Sequence, residues 1–198
     1  MDVSRTAPPA ASYPAAWRAL HWITALAVAT LLAAGLWMTA RGGAGIWDGL
    51  TNTLYAWHKA IGICVLLLTA LRVAIRLRLG VPPYPQTLSP TRRRLAVGLN
   101  HVLYALLVAV PLFGWAGVTA YPALVTIGGV DLPAMPLVPR DNALAERLFQ
   151  IHGALALLLV ALAAGHAAMG LHHLFAARDG VFQRMWPRAG RTRADRQG

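Results

Sequence analysis

Four apolar runs, each long enough to cross a lipid bilayer, constrain this chain more than any other feature. They are Ala19–Met38, Leu54–Leu77, Leu95–Ala120 (interrupted by Pro111) and Leu148–Leu171, which continues toward His173. About 20 apolar residues in a helix match the hydrocarbon thickness of a membrane. A backbone in lipid must satisfy its own hydrogen bonds, so such runs become helices. Composition agrees: 57% of the residues are apolar and 13% are charged, against about 25% charged in a soluble domain. The expected fold is an all-α, integral membrane four-helix bundle forming one domain over residues 16–178. A Pro/Ala-rich tail over 1–15 precedes it and a basic tail over 179–198 follows it.

A net charge of +11 would also suit a nucleic-acid partner, but the charge distribution argues against one. With the N-terminus inside, all of the 18 basic residues except Arg41, Lys59, Arg140 and Arg147 fall on the same side of the four spans. Cytoplasmic segments carry this excess of arginine and lysine, so both termini are expected to be cytoplasmic. The basic runs then serve as topology signals and lipid-headgroup contacts. The inner loop, 79–94, holds Pro82, Pro83, Pro85 and Pro90 and ends in Arg92–Arg94. One outer loop, 39–53, is rich in glycine. The other, 121–143, is unusually apolar and is expected to lie on the mouth of the bundle. The first apolar run is long enough to span and is expected to be retained rather than cleaved as a signal.

Histidine is costly inside a bilayer and usually functional there. His152 and His166 lie fourteen residues apart in the fourth run. In a helix they differ by about 40° around the axis and about 21 Å along it. His58 opens the second run at the level of His152, and His21 opens the first at the level of His166. The expected pairs are His58 with His152 and His21 with His166. Each pair could supply two axial imidazoles to one haem iron in the bundle core. A single histidine could instead be interfacial or bond another helix. Zinc is a further possibility, although two histidines per level without carboxylate or thiolate make a poor zinc site.

Cationic side chains near these levels are candidate partners for haem propionates. Arg72 follows His58 by fourteen residues, on a similar face at the inner level, and Arg18 precedes His21 by three. Lys59 adjoins His58 at the outer level. Arg18 could equally reach the headgroups. His101, His172 and His173 sit near the inner face as interfacial residues, the last two also as possible quinone or propionate contacts. The single cysteine, Cys64, cannot form an internal disulfide, and no C-x-x-C-H haem-attachment motif exists, so any haem is held non-covalently. Tryptophans near the span ends, such as Trp22, Trp57 and Trp115, suit an interfacial aromatic belt.

Several segments together resemble the bacterial cytochrome b561 family. They are RALHW at 18–22, WHKAIG at 57–62 with LLLTALR at 66–72, and LYALLVAVPLFGW at 103–115. LPAMPLVPRDNALAERLFQIHGALA at 132–156 and GHAAMGLHHLFAARDGVFQRMWP at 165–187 complete the set. The resemblance implies a multi-pass protein of the bacterial inner membrane. It implies two non-covalent haem b groups and electron exchange with ubiquinone. It assigns His21, His58, His152 and His166 as iron ligands. Where the family often has a histidine four residues before the tyrosine of the third helix, this chain has Asn100, so no role passes to His101. Some relatives resemble superoxide oxidases, passing electrons from superoxide to ubiquinone. Others are cytochrome b subunits that anchor a dehydrogenase or hydrogenase partner and link it to quinone. The expected partners are lipids, quinone and a possible redox protein.

Overall fold

The computed structural model describes residues 12–80, 82–83 and 89–186. The tail residues 1–11 and 187–198, and Pro85 of the inner loop, lie outside the described residues. Four long helices make up most of the rest: α1 (Ala15–Gly43), α2 (Gly49–Leu79), α3 (Pro90–Ala120) and α4 (Asn142–His172). All four are long and apolar enough to cross a membrane. Their faces away from the bundle expose large apolar side chains such as Leu26, Leu67, Leu77 and Leu157. That is the expected inversion for a bundle solvated by lipid.

Local chemistry sets the helix ends. Asp48 accepts a hydrogen bond from the Thr51 amide (2.9 Å), and Asp141 from the Leu144 amide (3.0 Å), capping α2 and α4. These caps satisfy amides that otherwise have no helical partner. Arg41 at the end of α1 pairs with Asp48 and donates from Nε to Thr51 Oγ1 (2.8 Å), clipping the α1–α2 turn shut. The glycine-rich outer loop expected over 39–53 therefore shrinks to 44–48. Ser89 caps α3, and Pro90 takes its first helical position, where a missing N–H costs nothing. Arg92–Arg94 consequently lie on the first turn of α3 instead of in the inner loop. Pro111 does not end α3; the helix continues through it to Ala120.

Close packing runs from α1 to α2, α2 to α3 and α3 to α4. Gly117 is what lets α4 approach α3: a Cβ there would lie 2.6 Å from the Phe149 ring. Small residues commonly allow this kind of approach between membrane helices. Mid-bundle, Val65, Leu106, Leu107, Val110 and Leu159 form the buried core. Thr24 and Thr69 are buried too, their hydroxyls returned to the carbonyls of Leu20 and Val65.

One end of the bundle carries the α1–α2 turn and the α3–α4 connection. Among the contacts holding that connection to the mouth, Trp115 Nε1 donates to the Pro133 carbonyl (2.8 Å) and the Met135 amide to Thr119 Oγ1 (3.0 Å). The opposite end gathers the start of α1, the end of α4 and the α2–α3 connection. There α4 passes through a π-helical turn, His173–Ala177, and the chain folds back. Residues 179–186, placed by sequence in the basic tail, instead pack against the bundle. Arg184 is buried, donating to the carbonyls of Pro82 (3.2 Å) and Pro83 (2.8 Å). The Tyr13 amide donates to the Arg184 carbonyl (3.2 Å), and Trp22 Nε1 to that of Met185 (2.8 Å).

Candidate functional site

Two pairs of imidazoles face one another across the bundle. At the loop end, His58 of α2 and His152 of α4 have ring centres 6.1 Å apart, with planes at 75°. At the termini end, His21 of α1 and His166 of α4 also lie 6.1 Å apart, at 67°. The pairings are those expected from depth and face. An iron held by two imidazole nitrogens at about 2 Å each would set ring centres about 6 Å apart.

The loop-end pair shows how the helices aim these rings. His152 Nδ1 donates to the Val110 carbonyl of α3 (2.9 Å). A carbonyl can only accept, so this bond fixes the proton on Nδ1 and leaves Nε2 with a lone pair. Gly114, one turn beyond Val110, leaves room for the ring; a Cβ would lie 3.0 Å from Nδ1 and 3.1 Å from Cε1. His58 rests on Gly35 of α1, where a Cβ would come within 3.2 Å of its Cε1. His58 Nδ1 is buried on that side without a well-formed hydrogen bond among the described residues.

A cavity of about 970 Å³ opens beside this pair. Its size is at the upper end of ligand pockets. Gly62 and Gly153 contribute walls with nothing within 4 Å of a would-be Cβ, leaving flat surfaces beside both histidines. Trp115 and Phe149 add aromatic lining, and the 121–132 segment roofs the mouth. Lys59 stands at the cavity and donates to the Ala123 carbonyl (2.8 Å). Its ammonium carries three donors, so this contact does not exhaust it.

At the termini end, Arg72 lies fourteen residues beyond His58 on α2, as His166 lies fourteen beyond His152 on α4, which sets it at the level of the His21–His166 pair. Its guanidinium stacks over the Tyr104 ring at 5.1 Å. It makes no hydrogen bond or ion pair among the described residues, so its donors remain open. Arg18 donates from Nη1 to the Tyr13 carbonyl (2.6 Å), while its Nε is buried without a partner. The unpartnered Arg18 Nε, three residues before His21, and the open Arg72 guanidinium at that level suit the acidic edge of a haem.

The remaining candidates stand apart. His101 is exposed and joins neither pair. His172 contacts the His173 ring, and His173 Nδ1 pairs with Asp179 at 2.7 Å. Cys64 is exposed. Among the described residues, no three His, Cys, Asp or Glu side chains gather as a metal site. Zinc would need more protein donors than two imidazoles, whereas a haem supplies four nitrogens of its own and asks for the two axial ones. Sequence reasoning missed the contributions of Gly35, Gly114, the Val110 carbonyl and Tyr104. The two glycines carried a signal, since glycine inside an apolar helix marks close approach of another group.

Membrane-length helices that face imidazoles at such spacing are the framework of a membrane cytochrome. The family model described as prokaryotic cytochrome b561 matches residues 12–188, and the chain belongs to that family. It is 32% identical over 169 residues to cytochrome b561 homolog 2 of Escherichia coli (strain K12), covering 84% of this chain and 87% of that one. It is 30% identical over 135 residues to a protein of Yersinia pestis named probable superoxide oxidase CybB, covering 66% and 73%. Membership implies haem b and an electron-transfer role in a bacterial membrane.

Proposed function

We propose that this protein binds two haem b groups and carries electrons between a periplasmic-side donor and the ubiquinone pool. The carrying observation is the pair of 6.1 Å imidazole spacings on facing helices. On this reading His58 and His152 ligate one iron and His21 and His166 the other. When bound, each haem supplies a one-electron iron couple. The Val110 carbonyl holds the His152 proton on Nδ1, presenting Nε2 as the ligand atom. Arg72 and Arg18 offer donors to anionic groups at the termini end, and Lys59 does so at the loop end.

The arginine asymmetry supports placing the termini end in the cytoplasm and the chain in the inner membrane. The His58–His152 site then lies nearest the periplasm. Superoxide is the proposed donor, supported by likeness to the Yersinia pestis protein named a probable superoxide oxidase. Two superoxide ions each lose one electron to become O₂, and ubiquinone takes both electrons with two protons to become ubiquinol. Stopped-flow mixing of the purified protein with superoxide and a ubiquinone analogue tests this. Haem reduction that outpaces a His58→Ala variant, with ubiquinol formed, is the expected result. Absence of superoxide-dependent haem reduction would move the donor role to a partner protein.

A further inference from the structure

The guanidinium of Arg72 is open to a ligand yet held in place, and what holds it is an aromatic ring on the next helix. Arg72 and Arg76 lie one turn apart on α2, and both guanidiniums approach the ring of Tyr104 on α3, at 5.1 and 5.9 Å. A cation over an aromatic face is attracted by the ring quadrupole without using its N–H donors. Tyr104 can therefore fix Arg72 while leaving all five donors available. A carboxylate in the same place would fix the side chain but neutralise it. Arg72 follows His58 by fourteen residues on α2, as His166 follows His152 on α4, and His58 faces His152, so Arg72 stands at the level of the termini-end pair.

We propose that Tyr104 is a positioning residue for the termini-end redox site, holding the Arg72 charge beside the His21–His166 pair. This rests on the reading that His21 and His166 ligate a haem. A fixed cation favours the reduced, more negative state of a nearby iron. Removing the ring frees Arg72 to swing toward headgroups or water, and that stabilisation is lost. The site then becomes harder to reduce although neither ligand has changed. Arg76, the more distant of the two cations, is not assigned this part.

The test is a redox titration of the purified holoprotein, followed in the visible spectrum, with both haems resolved. Tyr104→Leu is expected to lower the potential of the termini-end haem, leave the other unchanged and keep both haems bound. Tyr104→Phe, which keeps the ring face, is expected to titrate like the parent. Arg72→Leu should shift the same haem in the same direction, and the double variant Tyr104→Leu/Arg72→Leu should shift it no further. Non-additivity of this kind is the signature of two residues acting as one unit. Should Tyr104→Leu fail to accumulate, Tyr104→Met, unbranched and more adaptable in packing, carries the same expectation. An unmoved potential in Tyr104→Leu or Tyr104→Met, with Arg72→Leu shifted, would overturn the inference and leave Arg72 held by its own helix. Two haems retained in His166→Ala would overturn the ligand reading itself, a result independent of Tyr104.

Discussion

His152 donates from Nδ1 to the Val110 carbonyl at 2.9 Å, across the α3–α4 interface and one residue before Pro111. A ring set by a neighbouring backbone cannot rotate freely, so its second nitrogen is aimed before any metal arrives. Replacing His152 with Ala should remove one of two haems, the one at the loop end. Replacing His166 should remove the other, because about 21 Å of helix separates them. Pyridine haemochrome quantitation and reduced spectra of the two variants decide it. Two haems with unaltered bands in either variant would refute that ligand.

Gly114→Ala places a methyl group 3.0 Å from His152 Nδ1, where the ring must yield or the Val110 bond must stretch. Haem content at the loop end should fall, and bis-histidine signals in low-temperature EPR should shift. Gly35→Ala, with 3.2 Å to His58 Cε1, should do the same more mildly. Gly117→Ala meets Phe149 at 2.6 Å. It should cost about 1–3 kcal/mol through overpacking, seen as a lower thermal midpoint with haem ligation otherwise intact.

Arg72→Leu should lower the termini-end potential. A partly screened charge several ångströms from an iron is worth a few kcal/mol at an effective dielectric near 20. One-electron couples move about 59 mV for each tenfold change in equilibrium constant. A fall on the order of 60 mV or more is expected by spectroelectrochemistry. Unchanged potential and haem content would make Arg72 a headgroup anchor.

The membrane helices were legible because lipid imposes a long uninterrupted apolar signal, and the four histidines because each breaks it. Pairing followed from helical geometry alone, since fourteen residues return nearly to the same face. What sequence could not show was backbone chemistry between helices. The Val110 carbonyl looks like any other, and Tyr104 looks like one more apolar helix residue until α2 brings Arg72 over it. The α3 boundary was misplaced because Pro90 was read as a breaker, although Ser-Pro is also a helix start. The fold-back of residues 179–186 escaped notice because a basic segment past the last span resembles an unstructured tail.

Reporter fusions at position 188, outside the described residues, should be active on the cytoplasmic side. A fusion found on the periplasmic side would reverse which histidine pair faces the donor.

The Asp48 carboxyl is held down from 3.8 to about 2, first by the Thr51 amide and then by the Arg41 guanidinium. A depressed folded value means that its stabilising effect is present above the unfolded value and is lost as pH falls through the folded one. The α1–α2 clip should therefore persist down to near pH 2, and a carboxyl titration of Asp48 near its ordinary value would contradict the clip. Asp48→Asn should loosen this turn without altering haem content.

Arg184 joins three stretches of chain that are far apart in sequence: the start of α1 through Tyr13, the α2–α3 connection through Pro82 and Pro83, and the fold-back itself. Residue 184 is synthesised after every helix and every paired histidine. The clasp at the His21–His166 end therefore cannot form until translation has passed all four spans. A ribosome stalled before residue 184 would leave the four helices made and this clasp without its central residue.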